Sequence, residues 1–135
     1  MRKTLTITLF LSIIAGFSFA QCPANLVEIR VEIATDNWGY ETSWTVTDIV
    51  GTVFLEGGQG ASYANNTSYS DSTCVEDDGC FFFEIWDTFG DGIYTPNGYE
   101  VYVDEILVSS GSNDINDYAI ATAHCPSPCN MTTTA

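Results

Sequence analysis

Leu26-Val27-Glu28-Ile29-Arg30-Val31-Glu32-Ile33 alternates without interruption, and this stretch decides the fold class. Val27, Ile29, Val31 and Ile33 fall on one face of an extended chain, and Glu28, Arg30 and Glu32 on the other. A period of two is that of a strand, one side turned to a core and the other to water. Thr35-Asp36-Asn37-Trp38-Gly39-Tyr40 follows with turn chemistry. Ser43–Ile49 and Thr52–Leu55 read as two further strands around Gly51, and residues 57–67 as a loop of Gly, Ser and Asn. A strand is expected from Ser68 towards Cys74. In Cys80–Trp86, Phe81, Phe83 and Ile85 alternate with Phe82, Glu84 and Trp86, a strand apolar enough for cover on both faces. Gly98–Asp104 and Ile106–Ser110 read as a hairpin, and Asp117–Ala123 as the last strand. Short strands with turns between them and no helical periodicity predict an all-β, two-sheet antiparallel β-sandwich of the jelly-roll kind.

The ends of the chain read differently. Arg2 and Lys3 precede an apolar run from Leu5 to Phe17, which closes on Ser18-Phe19-Ala20. A basic start, a short apolar stretch and small residues before a cut are the marks of a secretory leader. The run is short for a permanent membrane span. Residues 1–20 are therefore expected to be a signal peptide, 21–125 the β-sandwich domain, and 126–135 the start of a linker or C-terminal tail. Cleavage after Ala20 removes two of the three basic residues. Arg30 then faces all 18 acids, a net charge of −17. Such a field repels nucleic acid and anionic membranes and gathers cations. It is equally the field of a highly soluble domain.

Five cysteines in an exported chain imply disulfides, and the single histidine, His124, argues against a mixed-ligand zinc site. The turn-forming spacer between Cys74 and Cys80 suggests a clipped hairpin. Cys22 and Cys125 lie at the two ends of the folded region, and their bond would close a loop of about a hundred residues. Cys129 is left over, and Cys22–Cys129 is the alternative.

The densest chemistry is Asp87-Thr88-Phe89-Gly90-Asp91-Gly92-Ile93, directly after the Cys80–Trp86 strand. Two carboxylates among glycines let the backbone curl until oxygens converge, as calcium requires with its six to eight oxygen ligands. The spacing is not that of an EF-hand, and an Asp-Gly pair is also an ordinary turn. Asp36, Asn37 and Glu41 end the first strand in the same manner. If the two loops meet, Asp36, Glu41, Asp87 and Asp91 are the expected calcium ligands. Trp38, Tyr40, Tyr63, Tyr69 and Tyr94 fall in or near loops, where they either stack on sugars and partners or cover the ends of the core.

Asp36-Asn37 after Thr35, Glu41-Thr42-Ser43-Trp44, the Cys80–Ile93 stretch and Gly98-Tyr99-Glu100-Val101 together resemble a domain recurrent in secreted proteins of Bacteroidetes. The resemblance covers nearly the whole chain after the leader, and it implies a CUB-like sandwich accompanying extracellular peptidases or adhesins. This chain has Tyr94 and Thr95 where such sequences commonly carry a cysteine.

No nucleophile elbow surrounds any serine, and His124 stands beside Cys125 and the tail, so no catalytic triad is expected. The expected function is a non-catalytic module, secreted or at the cell surface. It would serve adhesion, structural display or binding of a cell-surface or matrix protein or glycan, alone or with appended domains. The alternatives are a carbohydrate-binding module or an accessory domain of a secreted hydrolase or peptidase.

Overall fold

Alternation along the chain becomes alternation of burial. The computed structural model describes residues 22–77, 79–112 and 120–125. In chain order the strands are β1 (Leu26–Ala34), β2 (Thr42–Asp48), β3 (Val53–Gly57), β4 (Ser68–Glu76), β5 (Phe81–Asp87), β6 (Gly98–Val103), β7 (Ile106–Gly111) and β8 (Ile120–His124). A single 3-10 turn, Gly39–Glu41, leads into β2. Among the described residues there is no α-helix, and no helix long and apolar enough to cross a membrane. The expected leader, the tail, Cys129 and the Asp117–Ala119 part of the last expected strand lie outside the described residues.

Two four-stranded antiparallel sheets form, in the orders β4-β1-β6-β7 and β3-β2-β5-β8. Ile29, Val31 and Ile33 of β1 and Tyr99, Val101 and Val103 of β6 face Trp44 and Val46 of β2 and Phe81, Phe83 and Ile85 of β5. Burying each of these side chains contributes roughly 1.5–3 kcal/mol. β5 is fully buried on one face only, with Phe82, Glu84 and Trp86 half-buried on the other. The outer face of the first sheet carries the charges. There Arg30 pairs with Glu32 and Glu105 and lies 4.1 Å from the centre of the Tyr102 ring.

Two hairpins, β2–β3 and β6–β7, keep the chain within one sheet, and the other connections cross between sheets. Registers place the crossings. Ala34 stands opposite both Ser68 and Gly98, Thr42 opposite Asp87, and Trp44 opposite Gly57. Connections 35–41, 58–67 and 88–97 therefore all emerge at one end of the sandwich. Backbone hydrogen bonds tie them together there, from the Asn66 amide to the Asp36 carbonyl (2.6 Å) and from the Thr88 amide to the Glu41 carbonyl (3.0 Å).

The opposite end is stapled, and here the expected pairing is corrected. Cys74 is bonded to Cys22, and Cys80 to Cys125, in place of Cys74–Cys80 and Cys22–Cys125. The reason is topological. The chain leaves the first sheet at Glu76 and enters the second at Phe81, so the short spacer between Cys74 and Cys80 is a crossing and not a hairpin turn. Each sheet closes its own disulfide. Phe81 registers with His124, which makes Cys80 and Cys125 the next facing pair beyond β5 and β8. The bridged cysteines are 52 and 45 residues apart in sequence. Loop closure on that scale is worth about 4 kcal/mol each in the chain-entropy picture.

Candidate functional site

The crossing end gathers the carboxylates. Register sets Thr42 opposite Asp87, so Glu41, one residue before β2, stands beside the last residue of β5. The amide and the hydroxyl of Thr88 both donate to the Glu41 carbonyl, at 3.0 and 3.1 Å. Beyond Asp87 the chain curls back on itself. One carboxylate oxygen of Asp87 accepts the amides of Phe89 and Gly90, each at 2.9 Å. Gly90 and Gly92 take the left-handed conformation, φ 75° and 73°, which glycine adopts without steric cost. Asp91 stands between them and is turned back towards the other two acids.

Glu41, Asp87 and Asp91 each bring a carboxylate oxygen within 4.8 Å of the others. Glu41 and Asp87 are buried, at 7% and 3% exposure, and Asp91 is open to solvent. Burial pushes the Glu41 carboxyl above its ordinary pKa, and the charges of Asp87, Asp91 and Asp36 push it the same way. A hydrogen bond with the Tyr40 hydroxyl pulls in the opposite sense, and in return raises the tyrosine. Arg30, the one described cation, belongs to the outer sheet face and is occupied there.

Three of the four expected ligands thus come together. Asp36 is buried nearby but differently engaged. One of its oxygens accepts the Trp38 amide (2.8 Å), the other the Tyr94 amide (2.9 Å). It latches the 88–97 connection onto the 35–41 connection. The motif gave no sign of this, because the Tyr94 amide is 58 residues away.

The aromatic residues divide in two. Tyr63 is buried, stacks on Tyr69 with ring centres 3.9 Å apart, and accepts the Trp44 indole N–H at 2.8 Å. Trp38 and Tyr94 lean together with centres 5.7 Å apart, yet both stay largely exposed. Tyr40 and Phe89 are also exposed, at 45% and 69%. The sequence reading passed over Phe89, whose place between Thr88 and Gly90 in a turn was the available signal. Between these loops lies a cleft of ≈ 420 Å³ lined by Tyr40, Glu41, Ser43, Gly58, Thr88 and Phe89, among others.

Fold and site together define a disulfide-stapled, two-sheet all-β domain with an acidic, aromatic-rimmed loop end. A scan against protein-family models found no match, and searches of curated proteins and of solved structures found none either.

Proposed function

We propose that this chain is a non-catalytic extracellular module whose loop end is organised by one calcium ion held by Glu41, Asp87 and Asp91. The observation that carries the reading is the convergence of three carboxylates within 4.8 Å, two of them buried. Like charges so close repel, and burial raises the cost of each. A divalent ion relieves both, and calcium, a hard cation satisfied by oxygen alone, suits an all-carboxylate donor set. Three carboxylates leave room in a shell of six to eight oxygens, which backbone carbonyls of the 88–93 curl and water would fill.

The two disulfides favour an oxidising compartment, in keeping with the leader-like first twenty residues. The non-catalytic reading draws support from the placing of the one histidine. His124 registers with Phe81 at the disulfide end of the sandwich, whereas the three acids lie at the other end.

Calorimetric titration of calcium into chelator-treated protein tests the reading. One ion per chain should bind, and Asp87→Ala should abolish the heat, while Asp71→Ala, an exposed acid on β4, leaves it unchanged. Absence of binding in the parent protein, or equal binding by Asp87→Ala, refutes it. Hydrolysis of a glycan or peptide that disappears in Asp91→Asn would overturn the non-catalytic part.

A further inference from the structure

We propose that the cleft beside Glu41 binds a neutral, hydroxyl-rich glycan, held by stacking on Phe89 and Tyr40 and by hydrogen bonds from its hydroxyls to Glu41, Ser43 and Thr88. The inference takes the loop end as the working end of the module, as above, but does not depend on an ion being bound there.

Phe89 is the starting point. A phenylalanine at 69% exposure contributes little to the core. Its backbone is nevertheless fixed, the amide held at 2.9 Å by Asp87. Tyr40 is the second wall. Exposed at 45% and lining the cleft beside Glu41, it offers a ligand its ring. The backbone that carries Phe89 is fixed before any ligand arrives, which lowers the ordering cost of binding.

The third wall is the loop after β3. Gly58 takes φ +74°, and a Cβ there would lie 2.2 Å from the Thr42 carbonyl oxygen. Gln59 donates from its side chain to the Trp44 carbonyl at 2.8 Å, pinning the loop against β2. The result is a bare, fixed backbone rim opposite two aromatic rings. A pyranose presents an apolar C–H face to stack and a ring of hydroxyls to donate and accept, which matches such a lining. The lining also discriminates. With Glu41 in the wall and Asp87 and Asp91 adjoining, acidic sugars and phosphorylated ligands are repelled. Sugar hydroxyls donate to the carboxylate without that penalty.

Titration with soluble neutral oligosaccharides, fragments of glucans, mannans and galactans, tests the proposal on the full chain, in calcium and in chelator. At least one class should bind. Phe89→Ala and Tyr40→Ala should each weaken it by about tenfold or more, the effect of removing a stacking anchor. The melting temperature of Phe89→Ala should stay at the parent value, separating lost binding from lost fold. Binding in chelator supports the glycan site even where the calcium reading fails, and binding that returns only with calcium supports both. Failure of every neutral oligosaccharide at millimolar concentration overturns the proposal. So does binding unchanged in both variants, or occupation of the cleft by a lysine- and arginine-rich peptide with no sugar bound.

Discussion

Glu41 shows what a single residue contributes to a site by being poorly placed as a free acid. Its carboxyl titrates above its ordinary value because it is buried, with Asp87, Asp91 and Asp36 adding to the effect. A group whose folded pKa is raised stabilises the fold below its unfolded pKa, and that contribution is lost as pH rises through the folded value. In chelator, the parent protein should therefore gain stability from Glu41 as pH falls into the carboxylate range. Glu41→Gln should flatten that part of the profile and raise the melting temperature at neutral pH. Asp48 works in the opposite sense. The Thr52 and Val50 amides lower its pKa, so its contribution is present at neutral pH and lost on acidification. The Glu41 effect is thus read from the difference between parent and variant, measured by thermal melts across pH. A flat difference would count against the electrostatic account. Gly58 is the other telling residue. Gly58→Ala forces a left-handed alanine against the Thr42 carbonyl and should cost about 2 kcal/mol or more in chemical unfolding.

At the scale of elements, each sheet has its own covalent closure. Peptide mapping without reduction should recover Cys22–Cys74 and Cys80–Cys125 and no Cys74–Cys80 peptide. Replacing Cys80 and Cys125 together by serine should lower stability by about 2–4 kcal/mol. It should also free the β8 edge, read as faster amide exchange there than in β1, which lies between β4 and β6. The same element logic explains the loop end. β1, β3 and β5 all finish there, while β2, β4 and β6 all start there, so crossings far apart in sequence share one small surface. Residues 41, 87 and 91 meet, with 36 nearby, because strand direction alternates.

For the whole molecule the governing quantity is charge. Over residues 21–135 one base, Arg30, stands against 18 acids, and self-repulsion opposes the folded state at low ionic strength. Sodium chloride should raise the melting temperature gradually through screening. Calcium at matched ionic strength should raise it further, by the equivalent of about 1.4 kcal/mol at ten times its dissociation constant. Asp87→Ala should keep the sodium response and lose the additional calcium response. Identical responses to the two salts in the parent would reduce the acidic end to ordinary surface charge.

The β-sandwich was legible in the sequence because its strands have one buried face. Ile29, Val31 and Ile33 against Glu28, Arg30 and Glu32, and Phe81, Phe83 and Ile85 along β5, write burial directly into a period of two. Each expected strand was met by an observed one to within about three residues at its ends, as far as the described residues reach. The acids were legible as two clusters, one per loop. Whether they met was not, since that depends on strand order, and local alternation is the same for every order. The disulfides failed for the same reason. Sequence distance suggested Cys74–Cys80, whereas sheet membership decided Cys80–Cys125. Asp36 was expected among the converging acids; it lies outside the group of three, and its oxygens accept two backbone amides, one of them 58 residues away. Sequence determines which face of each strand is wet; only packing two sheets determines which loops become neighbours, because those contacts are made by residues that no local period relates.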